Sequence, residues 1–374
     1  MRGHSTIIRR FARPAALASA CLVALSGAAA AQQATTLSEG WNTITTDAKC
    51  STGTPYRFYV RPGASENLLI FFNGGGACWS GRQCNLTTQP TTHYPFAEMD
   101  ENNPANFGGI FNFDSAENPV ADLTMVVLPY CTGDVHVGSG PRTYEMTGAD
   151  GTRQTVEVFH NGFENASGVL NWVYENYPEP ARIVVSGASA GAIGSSFHSG
   201  RIAEHYPDVP VTLIADAAGG YNSPNIALTM NAWDVASVLP DWPEYAGETN
   251  DTLTFEDFYI ASANHAPNLT IAQINSANDL TQMQFTLLLG DAPGSFTIPQ
   301  RILNNYVEIE SAVDALSTFT NGGEQHVVVL GPEFYQYSVQ NMRLRDWFAG
   351  LAAGEQVPDL SCVDEVRGCA QAPQ

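Results

Sequence analysis

Ser189 lies in the run Ser186-Gly187-Ala188-Ser189-Ala190-Gly191, a Gly-x-Ser-x-Gly arrangement. Arg182-Ile183-Val184-Val185 before it reads as a buried strand, and Ala192 to His205 has helical spacing. A serine on so sharp a strand-to-helix turn is strained, and its neighbours must be glycine to avoid clashes. Its Oγ then stands at the carboxyl edge of the sheet, with a helix N-terminus behind it. The Ala190 amide is expected to point at a developing oxyanion. That is the chemistry of a covalent acyl intermediate.

A serine nucleophile needs a base, and the base needs an orienting carboxylate. In this strand–turn–helix context the chain order is serine, acid, histidine. His198, His205, His265 and His326 follow Ser189. His198 and His205 fall on the helix after the serine, and His265 precedes a strand at its wrong end. His326 follows Gly322-Gly323 after the last weak strand, where a catalytic loop belongs, and is the expected base. Asp279 follows Asn275-Ser276-Ala277-Asn278 at the carboxyl end of a strand and is the leading acid. Asp216, after the strand next to the nucleophile's, is its rival.

Asn73-Gly74-Gly75-Gly76-Ala77-Cys78-Trp79 follows an early strand. Only glycine lets the main chain come this close to a substrate. Gly76 and Ala77 are the expected oxyanion donors beside Ala190. A Walker loop is excluded because no Gly-Lys-Ser/Thr follows, and the spacing is wrong for a dinucleotide fingerprint.

These residues must be carried by a sheet. Leu68–Phe72, Leu123–Leu128, Arg182–Val185, Val211–Ile214, Leu269–Ile274 and a weaker run at Leu316–Thr320 read as buried strands. Helical patterns at Gly168–Glu175 and Ala192–His205 alternate with them. The fold class is therefore α/β, with a mostly parallel central sheet and helices on both faces. Residues 88–120 and 222–260 are rich in Asn, Pro and aromatics without a clear period, and read as loop-rich insertions shaping a pocket.

The chain has 374 residues, 16 basic against 38 acidic, for a net charge of −22. That balance argues against nucleic acid and anionic membranes as partners. Arg2, Arg9, Arg10 and Arg13 precede an apolar stretch ending in Ala29-Ala30-Ala31, the pattern of a signal peptide cleaved near Ala31. Residues 32–374 then form one domain, secreted or periplasmic, with no run long enough to span a membrane. Beyond Cys21, the cysteines are Cys50, Cys78, Cys84, Cys131, Cys362 and Cys369, an even set that reads as disulfides. Short spacing favours Cys78–Cys84 and Cys362–Cys369, leaving Cys50–Cys131. Asp134 and His136 are too few for a metal site, and no metal or cofactor is expected.

With these segments in place, the chain resembles the pectin acetylesterase/Notum family of serine carboxylesterases. The resemblance rests on Asn73 to Trp79, on Tyr130-Cys131-Thr132-Gly133-Asp134-Val135-His136, on Ser186 to Gly191 and on Ile274 to Asp279. His326-Val327-Val328-Val329-Leu330 with Glu333-Phe334-Tyr335 is similar to the bacterial branch. The resemblance implies an α/β-hydrolase fold, a Ser189–Asp279–His326 triad and oxyanion donors at Gly76, Ala77 and Ala190. It implies removal of small acyl groups from a polysaccharide such as pectin, or of a fatty acyl group in the animal branch. Trp79, Tyr130 and His136 are expected to line the substrate cleft. In plant and animal members Trp stands between the glycines and Cys. Here Ala77-Cys78-Trp79 reverses that order and leaves acyl size open, so a polyester or lipid esterase is the alternative. A third reading, a sugar-binding module using Trp79, Trp233, Trp242 and Tyr245, would leave the triad residues without a task.

Overall fold

Leu68 to Phe72 shows how the sheet is built. Leu68, Ile70 and Phe72 pack into one core layer, and Leu69 and Phe71 into the layer on the opposite face. Alternation with both faces apolar is what a strand covered on both sides requires.

The computed structural model describes residues 37–88, 90–148 and 150–362, with Met1, Gly3 and His4. The expected signal peptide and Cys369 lie outside the described residues, except for those three N-terminal positions. The described residues from 37 to 362 cluster as one compact unit. The strands are β1 (Asn42–Lys49), β2 (Pro55–Arg61), β3 (Asn67–Phe72), β4 (Thr124–Leu128), β5 (Gly140–Thr147), β6 (Arg153–His160), β7 (Arg182–Ala188), β8 (Val211–Asp216), β9 (Leu269–Ser276), β10 (Leu316–Asn321), β11 (Ser338–Val339), β12 (Met342–Arg343) and β13 (Leu360–Ser361). Nine form one sheet in the order β1-β2-β4-β3-β7-β8-β9-β10-β13. From β4 to β13 every pairing is parallel, and β1 and β2 add an antiparallel edge. The helices are α1 (Gly81–Cys84), α2 (Gly162–Asn176), α3 (Ala190–His205), α4 (Ala227–Trp233), α5 (Phe255–His265), α6 (Leu280–Leu288), α7 (Ile298–Glu310), α8 (Glu333–Gln336) and α9 (Leu344–Ala353).

All six expected strands are present. The antiparallel ribbon β5–β6 and the edge strands β1 and β2 were not expected. Along β1 half-buried and exposed residues alternate, so a continuous apolar run does not reveal it. Residues 222–260 also depart from the expected loop: they hold α4 and the start of α5. Thr254 and Asp257 cap α5 reciprocally, each side chain accepting the other's backbone N–H. That capping box was the readable sign of a helix start. Among the described residues, 88–120 contain three 3-10 turns and the isolated bridge of His93 to Gly76.

Two disulfides join Cys50 to Cys131 and Cys78 to Cys84. Cys362 is also disulfide-bonded. Among the described residues, no helix is long and apolar enough to cross a membrane.

Candidate active site

Ser189 sits between β7 and α3 with φ of 55° and ψ of −120°. A non-glycine residue there is strained, and the surroundings must hold it. The Ser189 N–H donates to the Asp216 carbonyl at 2.8 Å, tying the turn to the end of β8. The flanking glycines follow from close approach. A Cβ on Gly187 would strike the Gly191 carbonyl, and one on Gly191 the Phe72 carbonyl.

His326 lies on the connection after β10. Its Nε2 is 2.8 Å from Ser189 Oγ, and its Nδ1 is 2.6 Å from Asp279 Oδ2. A carboxylate only accepts, so Nδ1 donates its proton there and Nε2 is free to accept the serine hydroxyl. Asp279 follows β9 and caps α6: its Oδ1 accepts the Gln282 N–H at 2.9 Å. Gln282 Nε2 donates to Asp279 Oδ2 at 2.9 Å, and Gln282 Oε1 accepts the Gly220 N–H. Asp279 is fully buried.

The other histidines have partners of their own. His198 is buried, with Nε2 donating to the His136 carbonyl and Nδ1 accepting from Arg201. His205 stacks on Tyr174. His265 ends α5 between Glu204 and Glu244. Asp216 points its carboxylate at the backbone of Val328 and Val329 rather than at an imidazole.

The glycine loop lies against the serine. A Cβ on Gly74 would meet the Ala188 carbonyl and the Ser189 side chain, and Gly76 has φ of 79°. Ala77 does not fit the donor role expected of it. Its N–H donates to the Thr92 carbonyl at 2.9 Å, because Gly76 and His93 form an antiparallel bridge. Among the described residues, the Gly76 and Ala190 N–H groups donate to no other part of the fold. Both residues line the apolar pocket together with Ser189.

Tyr130 and His136 also depart from expectation, because both are in the core rather than in the cleft. Tyr130 is fully buried behind Gly75, and its hydroxyl accepts the Val135 N–H. His136 Nε2 donates to the Asn73 carbonyl at 2.9 Å and bolts the base of the glycine loop. Burial pushes the His136 imidazole down to about 4, so it stays neutral near pH 7. Asp134, raised to about 6 by burial, accepts from Thr132, His136 and Gly162 and organises this loop.

Two cavities meet at Ser189. One is small, about 30 Å³, and apolar, walled by Trp79, Ile193, Tyr221, Ile226, Trp233 and Phe255 among others. The other is an open cleft of about 630 Å³, lined by Thr92, His93, Tyr94, Glu101, Gln284 and Gln325 beside His326. Gly76, Ser189 and Phe285 border both. Sequence reasoning placed Trp79 near the site and expected residues 222–260, which hold Ile226, Thr229 and Trp233, to shape a pocket, but it missed Tyr221 and Phe285, whose contribution is tertiary.

The pectinacetylesterase family model matches residues 27–234. Palmitoleoyl-protein carboxylesterase NOTUM of Mus musculus is 26% identical over 186 residues, 46% of this chain and 34% of that protein. The Homo sapiens protein matches to the same extent. The inactive palmitoleoyl-protein carboxylesterase notum1b of Danio rerio is 32% identical over 99 residues, 25% of this chain and 68% of that protein. The match spans about a third of the mouse and human relatives' length. The Drosophila Wnt deacylase Notum superposes with a TM-score of 0.60 at 16% identity, covering 89% of this chain and 98% of that one. That similarity, with the largely parallel nine-stranded sheet, gives the α/β-hydrolase fold. The family match runs through the glycine loop and the Gly-x-Ser-x-Gly turn, and on it this chain belongs to the pectinacetylesterase family.

Proposed function

We propose that this chain is a secreted carboxylic ester hydrolase that removes acetyl or other small acyl groups from a polysaccharide such as pectin. The observation that carries the reading is the hydrogen-bonded series Ser189–His326–Asp279 at the meeting point of the two cavities. The apolar pocket suits the acyl group, and the polar cleft suits a hydroxylated alcohol portion.

In this reading His326 Nε2 takes the Ser189 proton as Oγ attacks the ester carbonyl. The negative charge on the carbonyl oxygen develops toward the Gly76 and Ala190 N–H groups. Asp279 holds the imidazole tautomer and stabilises the imidazolium. His326 then protonates the leaving alcohol, leaving an acyl-serine. Water, deprotonated by the same imidazole, releases the acid. The family match, the expected signal peptide and the disulfides support an exported enzyme.

A second reading is favoured by the lining of the apolar pocket, where Trp79, Ile193, Ile226, Trp233, Phe255 and Phe285 surround the approach to Ser189. Acyl chains of several carbons, as in a lipid or polyester, would bury more apolar surface against that wall than acetyl does. Initial rates on p-nitrophenyl esters from acetate to long chains, with Ser189→Ala in parallel, separate the readings. A Ser189-dependent optimum at acetate supports the polysaccharide deacetylase, and an optimum at longer chains supports the second reading. Activity surviving in Ser189→Ala would overturn both.

A further inference from the structure

Asp216 is almost fully buried at the carboxyl end of β8, one strand from the nucleophile turn. Its carboxyl faces two backbone amides. Oδ2 accepts the Val328 N–H at 2.8 Å and the Val329 N–H at 2.9 Å. Its own carbonyl accepts the Ser189 N–H. One residue therefore holds the turn that carries the serine and the loop that carries the histidine.

The histidine loop is gripped at two places. Upstream, Asn278 donates its N–H to the Gly323 carbonyl and its Nδ2 to the Gly322 carbonyl. Downstream, Asp216 grips residues 328 and 329. His326 lies between the two clamps, and each clamp belongs to a strand end next to the serine or the acid. Ala217, directly after Asp216, has φ of 68° and donates to the Ile274 carbonyl. A strained non-glycine backbone is kept only where the surroundings enforce it.

We propose, resting on the serine-esterase reading above, that Asp216 is a positioning residue for hydrolysis, holding the His326 loop against the Ser189 turn and acting through its negative charge. A buried acid that only closed a loop would need nothing more than an acceptor. The charge matters because His326 becomes an imidazolium during acyl transfer, and Asp216 is a second carboxylate beside it after Asp279. The charged groups facing Asp216 are His326 and Asp279, while Ser189 at the adjoining end of β7 is uncharged. Burial pushes the Asp216 carboxyl up to about 7, and the amides and His326 pull it down. Its charge is therefore sensitive to pH near neutrality.

The test compares Asp216→Asn and Asp216→Ala with the parent enzyme on p-nitrophenyl acetate, using the folded, monodisperse fraction. Asp216→Ala is expected to lower kcat about 100-fold with KM little changed, since a misplacement of about 1 Å costs that much. Asp216→Asn keeps an acceptor and is expected to restore most of that loss. It is also expected to move the acid limb of the kcat/KM profile to lower pH by about one unit, because a nearby negative charge no longer stabilises the imidazolium. If Asp216→Ala does not fold, the Asp216→Asn profile decides. Parent kcat in both variants, or an unmoved acid limb in Asp216→Asn, would overturn the proposal while Ser189→Ala remains dead. Activity in Ser189→Ala would bring down the serine reading itself, and this proposal with it.

Discussion

Gln282 Nε2 donates to the same Asp279 oxygen, Oδ2, that receives the proton on His326 Nδ1. The amide therefore sets the orientation of the carboxylate toward the imidazole. Gln282 Oε1 also accepts the Gly220 N–H, next to the pocket wall at Tyr221. Replacing Gln282 by Ala removes both contacts. A hydrogen bond to a charged group is worth about 1.5–3 kcal/mol, so kcat is expected to fall roughly 10- to 100-fold. Steady-state kinetics on p-nitrophenyl acetate check this, and unchanged turnover would free Asp279 from dependence on Gln282.

Asp279→Asn leaves the volume at this position unchanged but favours the wrong imidazole tautomer. Turnover is expected to drop by about 10⁴ with the fold intact, the scale seen when a triad carboxylate is neutralised. Circular dichroism and kcat together measure this. Near-normal turnover would move the orienting role to Asp216.

The acyl selectivity of the pocket is expected to respond to Ile226→Trp. Ile226 is nearly buried and forms part of the apolar wall. A larger ring there takes space from acyl carbons beyond the second. Rates on acetate should stay within about twofold, while octanoate loses up to roughly fourfold per excluded methylene, at about 0.8 kcal/mol each. Equal losses on both esters would show that Ile226 does not contact the acyl chain.

The two mapped disulfides should act differently. Cys50–Cys131 closes a separation of 81 residues, and Cys78–Cys84 one of 6. Chain entropy assigns them about 4.5 and about 2 kcal/mol at 25 °C. Double serine variants should therefore lose more Tm at Cys50/Cys131. The Cys78/Cys84 variant should lose proportionally more activity, since Cys78 follows the glycine loop and donates its N–H to the Gly133 carbonyl. Thermal melts and kcat of the two double variants separate these effects.

Stability should fall on mild acidification. Burial pushes His93 and His136 down to about 4, His160 to about 3, and His198 well below its ordinary value. Lowered folded values mean that the unfolded chain takes up protons first, so stability is lost as pH drops below the ordinary 6.5. Asp134 and Asp216 work the other way. Their values are raised to about 6 and about 7, so the stability they add is full below 3.8 and lost as pH climbs through those values. Four imidazoles outweigh two carboxyls, so Tm should rise from pH 5 to 6.5. A Tm that instead rises toward pH 5 would mean that the carboxyls dominate.

Local sequence determined the features that need only a few neighbouring residues. Apolar runs such as Leu68–Phe72 can be satisfied only inside a sheet covered on both faces. The glycines around Ser189 are legible because a strained turn leaves no room for a Cβ. The spacing of Cys78 and Cys84 announced their pairing. The tertiary structure decided what depends on distant partners. The Ala77 amide is taken by Thr92, and Tyr130 and His136 are buried as supports, because residues 88–136 fold back against the glycine loop. Asp279 faces His326 while Asp216 faces backbone amides, although one follows β9 and the other ends the neighbouring β8. Register and the path of the connection after β10 choose between them. The apolar pocket draws on α3, α4, α5 and α6 and the Trp79 segment, and no window along the chain contains it.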